Sequence, residues 1–466
     1  MINIKCIRII FFVLITLLKF STLIAQKQLS LKEALKIGTE NYGIIKAKTQ
    51  YAEASKISVE QAKRDGLPNF NVSAQQDFGT VNGQYGPLYG FNGLGVASAG
   101  PAFAQQNNNA AFGALYLTNI NWDFYAFGKV KEKIKVAEAI AVKDGKDLNQ
   151  ELFQHRIKIS AAYLNLIAAK QLKHSYEKNL NRADTSRRIA VAKVLSGMIP
   201  GVDSSQANAE YSSAKILLTK SMDQEAELSN QLSQLLGIVA QEYMLDSFFI
   251  SRIPKLLQDS IAIQQHPLLQ FYQSRIDASD AQSKYIKTGY YPVFTAVGVL
   301  QGRGSGFNSG YPSNQLDYTK NYWTGITPSR TNYLLGVGVT WNITQPYRIS
   351  QQVKSQNIIS KGLQEEYNFI DQQLKAQQQL SDTKIKNALV LFNEAPVQVK
   401  AATDAYLQKS VLYKNGLTNL VDLTQTLYTL VRAETDRDIA FNNVWQALLL
   451  KAASTGDFSL FENQFY

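Results

Sequence analysis

The sequence predicts a mainly α-helical chain with a small β part, built as two tandem structural repeats of helix–strand–strand–long helix–helix. Three observations predict it. The chain is written twice, at a nearly constant offset. Its hydrophobic period changes from helical to two and back within each copy. Each copy then carries one helical segment too long for an ordinary globular helix.

The duplication sets the domain limits. Pro68 and Pro292 lie 224 residues apart, as do Phe70 and Phe294. Trp122 and Trp341 are 219 apart, and so are the pairs Gly197/Gly416, Asp203/Asp422 and Gln206/Gln425. The first copy is therefore longer in the loop-like stretch between Pro68 and Trp122. This reading gives a leader over 1–25, a first repeat over 26–245 and a second over 246–466.

The leader has Lys5 and Arg8 before an apolar run, Ile9–Leu18, and ends near Ala25. That order reads as a secretory signal. Cys6, the single cysteine, precedes the apolar run, where a lipoprotein cysteine cannot be. The exported chain has no disulfide framework, no Cys-based zinc site and no Cys/His catalytic pair.

Each repeat opens with a helix-like stretch. In the first, Leu31, Ala34, Leu35, Ile44, Ile45, Ala52 and Ile57 recur near helical spacing, with no proline before Pro68. The period then becomes two. Phe70, Val72, Ala74 and Phe78 alternate with Asn71, Ser73 and Gln75. After a Gly/Asn-rich stretch the alternation returns, with Ile120 and Trp122 opposite Asn119, Asn121 and Asp123. Strands are expected over about 69–78 and 115–124, and in the second copy over about 293–301 and 334–343. Strands of about ten residues suit a tilted bilayer crossing, and aromatics such as Tyr85, Tyr89, Phe91, Tyr318, Tyr322 and Trp323 suit membrane–water interfaces. Gly302-Arg-Gly-Ser-Gly306 lacks the Lys-Ser/Thr of a phosphate loop and reads as a flexible surface loop.

A helix from about Lys129 to Leu195 would be roughly 100 Å long at 1.5 Å per residue. Ala137, Ala141, Leu148, Leu152, Ile159, Tyr163 and Leu166 mark its apolar stripe. Its counterpart runs from about Ser350 to Lys414, with a kink expected at Pro396. Turns at Gly197–Gly201 and Gly416–Asn419 lead to return helices over about Asp203–Leu236 and Val421–Ala453. Asp203 and Asp422 are candidates to cap or open these helices.

Composition narrows the function. The formal net charge is +11, or +8 without the three cations of the leader region, which asks for no nucleic acid. His155 and His174 lack acidic neighbours at metal-ligand spacing and read as packed or solvated. No nucleophile–base set stands out, so no enzyme, cofactor or metal site is expected. Four strands cannot close a barrel in lipid, and an open edge there is not viable. Two chains would supply eight strands and three would supply twelve.

These parts resemble the TolC family of outer-membrane efflux and secretion ducts. The resemblance is carried by Leu67-Pro68, by Trp122-Asp-Phe-Tyr-Ala-Phe-Gly128-Lys129 and by Gly197-Met-Ile-Pro-Gly-Val-Asp203. In the second copy it is carried by Tyr291-Pro292, Tyr413-Lys-Asn-Gly416-Leu-Thr-Asn-Leu-Val-Asp422-Leu and Ala453-Ser-Thr-Gly456. It implies a homotrimer with a twelve-stranded barrel in outer-membrane lipid and a long periplasmic α-helical barrel. It also implies a periplasmic adaptor, an inner-membrane pump, and passage of substrate in efflux or type I secretion.

The resemblance further implies that Gly197, Met198, Ile199 and Pro200, with Gly416, Leu417, Thr418 and Asn419, form adaptor-contact tips. Asp422 matches an aspartate ringing the pore entrance. Gln425 stands where some members have a second aspartate, and Asp203 is the repeat mate of Asp422. After Trp341 the chain reads Thr344-Gln345-Pro346-Tyr347 where a Gly-Gly-like bend is usual. Two other readings compete with a tripartite channel: a stand-alone porin-like diffusion channel, and a structural envelope spacer.

Overall fold

The computed structural model describes residues 28–83, 102–254 and 265–465. The leader, Cys6, Tyr85, Tyr89 and Phe91 lie outside the described residues. The chain divides into two compact units. One takes in the chain to Glu53, Val142–Arg275 and the chain from Leu363; the other takes in Ala54–Ala141 and Ile276–Gly362.

The elements run α1 (Leu31–Asn41), α2 (Gly43–Arg64), β1 (Asn69–Thr80), β2 (Ala110–Tyr125), α3 (Lys129–Leu195), α4 (Gly201–Leu236) and α5 (Phe248–Ser251). They continue with α6 (Pro267–Lys287), β3 (Val293–Ser305), α7 (Tyr322–Ile326), β4 (Arg330–Thr340), α8 (Gln345–Lys414), α9 (Leu420–Thr455) and α10 (Ser459–Glu462). No helix among the described residues is long and apolar enough to cross a membrane.

The Ala54–Ala141/Ile276–Gly362 unit holds one antiparallel sheet in the order β1-β2-β3-β4. Its register pairs Phe70 with Ile120, Ile120 with Gly298, and Gly298 with Leu335. Two tryptophans secure equivalent corners. Trp122 Nε1 donates to Gly66 O at 3.0 Å, and Trp341 Nε1 donates to Tyr290 O at 3.3 Å. Each ties the end of a second strand to the residues before the first.

Three details differ from the sequence expectation. The first helix-like stretch is two helices, because Tyr42 leaves α1 in an extended conformation and stacks on His155 at 3.8 Å. Within α2, Ile44 and Ile57 are exposed while Ile45 and Ala52 are buried. Gly302–Ser305 is not a loop but the end of β3, paired to Tyr116–Gly113. Gly304 is needed there because a Cβ would meet the backbone of Gly325–Thr327 within 2.9 Å. β4 stops at Thr340, and Pro346 falls in the first turn of α8, where a missing N–H costs nothing. Pro396 lies inside α8 as expected, exposed, and the helix continues on both sides of it.

The unit containing Val142–Arg275 is helical. Ser30 and Glu33 close a capping box at the start of α1. The main core gathers Leu31, Leu35, Ile159, Tyr163, Leu166, Leu232, Trp445, Leu448 and Phe461. Its polar groups are satisfied: Tyr163 Oη donates to Leu29 O at 2.7 Å, and Trp445 Nε1 donates to Arg252 O at 3.0 Å. Of the stripe read on α3, Ile159, Tyr163 and Leu166 are fully buried. Further along the helices, Arg182 makes a two-pronged bond to Glu434 at 2.7 and 2.8 Å.

Candidate functional site

The sheet has two unlike faces. Residues paired in an antiparallel register point to the same side. One side carries Phe70, Val72, Phe78, Phe112, Ile120, Trp122, Phe294, Leu300, Leu335, Val337 and Val339. Val72, Leu335 and Val337 on this side are each more than 70% exposed. A soluble protein rarely leaves so broad an apolar surface in water. The other side is mostly polar: it carries Asn69, Asn71, Ser73, Gln75, Asp77, Asn119, Asn121, Asp123, Thr295, Gln301 and Asn332, with Leu115, Leu117, Val297, Val299 and Leu334 among them. The outer edges of β1 and β4 have no strand partner among the described residues.

Aromatic rings gather at both ends of the sheet. Near the helix end, Phe127 stacks on Tyr291 at 5.0 Å and packs on Tyr125 at 4.9 Å. Phe127 (φ 49°) and Gly128 (φ 84°) turn the strand into α3. Near the loop end, Phe78 meets Phe112 at 4.7 Å, and Phe112 meets Tyr322 at 5.2 Å. Tyr322 Oη donates to Gln76 Oε1 at 2.8 Å. Trp323 stands 70% exposed beside it. Two aromatic belts flanking an apolar band are the side-chain pattern of a membrane-embedded strand surface.

In the helical unit, the turns after α3 and α8 have the same construction. Gly197 (φ 70°) and Gly416 (φ 76°) take the left-handed conformation that ends a helix. Gly197 N–H donates to Val194 O and Met198 N–H to Lys193 O; Gly416 N–H donates to Tyr413 O and Leu417 N–H to Leu412 O. This paired bonding satisfies the last carbonyls of both helices. Met198 and Leu417, the residues after the glycines, are each 72% exposed.

The two turns come together. Met198, Ile199, Pro200 and Asp203 line one cavity of about 500 Å³ with Gly416, Leu417, Thr418 and Asn419. Lys193 Nζ donates to Tyr413 O and lies 4.7 Å from the Tyr413 ring centre. Behind the turns, Ala190, Ala207, Tyr413, Leu420 and Leu423 form a small core. The Tyr413 hydroxyl is buried there with no hydrogen-bond partner. Burial pushes its pKa up, and the Asp203 carboxylate adds to that shift.

Neither aspartate is a helix cap. Pro200 and Asn419 hold the cap positions, and Asn419 Oδ1 accepts from Asp422 N–H at 2.8 Å. Asp203 and Asp422 each stand third in their helices, where a carboxylate favours the positive end of the helix dipole. Asp422 is not a free charge either. Lys409 Nζ lies 2.8 Å from its Oδ2, and Thr418 Oγ1 donates to the same oxygen at 3.0 Å. The Lys409 bond, then the Thr418 bond, holds the Asp422 carboxyl below the usual carboxylate range. Gln425 is exposed one turn further along α9 and does not line the cavity.

Sequence reasoning missed Lys409, Lys193 and the link from Tyr428 to Glu210. Tyr428 Oη donates to Glu210 Oε2. Burial, then that bond, pushes the Tyr428 hydroxyl up to about 12. Lys409 and Asp422 are 13 residues apart on opposite sides of the Gly416 turn. Only that near-mirror spacing about the glycine could have signalled the pair.

The model of the outer membrane efflux protein family matches residues 41–238. No curated protein matches the chain by sequence. The fold is similar to that of the Campylobacter jejuni CmeC outer membrane channel, at TM-score 0.74 and 13% identity, over 91% of this chain and 85% of that one. It is similar to the Vibrio cholerae outer membrane protein VceC, at TM-score 0.72 and 13% identity, over 92% and 96%. It is also similar to the open state of the Neisseria gonorrhoeae MtrE outer membrane channel, at TM-score 0.69 and 12% identity, over 92% and 89%. The fold is thus the one read from the duplicated motifs, that of TolC-type outer-membrane channels.

Proposed function

We propose that the chain is the outer-membrane channel of a tripartite efflux or type I secretion system, with its helices reaching into the periplasm. One observation carries the reading: a four-stranded sheet with an exposed apolar face, a polar face and two unpartnered edges. Such a sheet is viable in lipid only when other copies complete it. Three copies would close twelve strands with the polar faces lining a lumen. The match to the outer membrane efflux protein family supports the location.

The paired turns are the natural docking tips, because Met198 and Leu417 present apolar side chains that nothing among the described residues covers. Asp203, Asp422 and Gln425 lie at or behind these turns and would face the entrance. The protein would do no chemistry and would take its transport energy from a pump, reached through an adaptor.

A photo-crosslinking residue at Asn419, read in cells by mass spectrometry, tests the reading. Capture of a periplasmic adaptor is expected. No capture from a folded, abundant protein would sink the docked duct. Pore currents in a planar bilayer would then point to a porin-like channel, and silence to a structural spacer.

A further inference from the structure

The register sets two arginines opposite each other on the polar face. Arg303 of β3 pairs with Arg330 of β4, and such partners share a face with Cβ atoms roughly 5 Å apart. Both side chains are exposed. Neither forms an ion pair among the described residues. Like charges facing each other across a strand pair weaken it, so folding alone does not account for them.

The chain offers them little counter-charge. From Phe78 to Trp122 the sequence has no charged residue. Asp77 shares the polar face but stands on β1, bonded by Gln75 Nε2 at 3.0 and 3.1 Å. Asp317, in the β3–β4 connection, is engaged by Asn308 Nδ2 at 2.7 Å. Asp123 lies at the far end of the strands and accepts from Thr295 Oγ1.

We propose that Arg303 and Arg330 form an anion-binding step at the loop end of the lumen, for solutes that carry carboxylate, phosphate or sulfate groups. The proposal rests on the channel reading above, in which three copies turn their polar faces inward. Threefold symmetry then places all the guanidinium pairs at one height. Each guanidinium is a rigid fork suited to two-pronged binding of such oxyanions. A ring of one sign inside a low-dielectric wall concentrates the opposite ion.

The test compares the whole channel with its R303Q/R330Q variant in a planar bilayer under a dilute potassium chloride gradient. The chloride-to-potassium permeability ratio should fall roughly twofold or more in the variant, and the difference should shrink near 1 M salt, where charges are screened within about 3 Å. Citrate added at the loop side should reduce current through the natural channel and not through the variant. R303K/R330K should keep the permeability ratio, since the charge remains, while losing part of the citrate effect. Equal reversal potentials and equal citrate responses would overturn the proposal. So would a citrate-insensitive natural channel whose glutamine variant loses trimer stability, since the arginines would then be neutralising Asp77 of a neighbouring copy. A folded trimer that passes no current would overturn the channel reading itself, and the lumen site with it.

Discussion

Lys409 Nζ lies 2.8 Å from Asp422 Oδ2 across the turn that joins α8 to α9. The acidic residue at the proposed entrance is thus half of an ion pair made within one chain. Three copies would bring three such pairs to the axis, not three bare carboxylates.

Removing the lysine should therefore uncover the acid. Lys409→Met is expected to raise the cation preference of the open channel, and Asp422→Ala to lower it or to raise conductance. In the double variant the Lys409 effect should vanish. Reversal potentials of the four proteins in a planar bilayer close this cycle. Unchanged selectivity in every variant would remove Asp422 from the entrance.

The turn glycines should matter through backbone strain alone. A Cβ at Gly197 or Gly416 meets nothing within 4 Å, yet both have φ near +70°. Alanine at either site should cost about 1 kcal/mol. Thermal unfolding should show a lower midpoint for each single variant. Asparagine, which tolerates this conformation better, should recover part of the loss.

Acid should weaken the helical unit through two buried histidines. His266 Nδ1 accepts from Leu268 N–H at 3.1 Å, and Nε2 lies 3.0 Å from Ala453 O. That arrangement is a satisfied neutral ring, held by burial below the ordinary pKa against the opposing pull of the Ala453 bond. Burial lowers His155 as well. The folded state then binds fewer protons than the unfolded one, so stability is complete above about pH 6.5 and falls as pH drops through the depressed folded values. Melting points recorded from pH 7.5 to 5 should decline, and His266→Gln should flatten part of the decline.

Charge on the two faces of the sheet should have opposite consequences. Val337→Arg, on the apolar face, should cost about 2–4 kcal/mol near the bilayer midplane and reduce the yield of membrane-inserted protein. Asn121→Arg, on the polar face, should leave the yield near normal. Heat-modifiable migration of membrane extracts reads both. Equal losses would show that the apolar face does not meet lipid.

Much of this protein was legible from residue order because its signals are periodic or repeated. The alternation of Phe70 and Val72 with Asn71 and Ser73 determines which side of a strand is apolar, whatever packs on it. Gly197 and Gly416 mark helix ends because only a residue without Cβ enters that conformation cheaply. Other features were settled by tertiary structure. Gly302–Ser305 reads as a loop by composition, yet pairs as strand because β2 supplies partners and α7 needs the room. Tyr42 breaks a helix to stack on His155, a residue far along the chain. Asp422 reads as a cap, yet Asn419 is the cap and Lys409 claims the carboxylate. Local propensity and periodicity act within a few residues and survive in the sequence. Ion pairs, ring stacking and facing arginines depend on which segments meet, and that is decided only when the chain has folded.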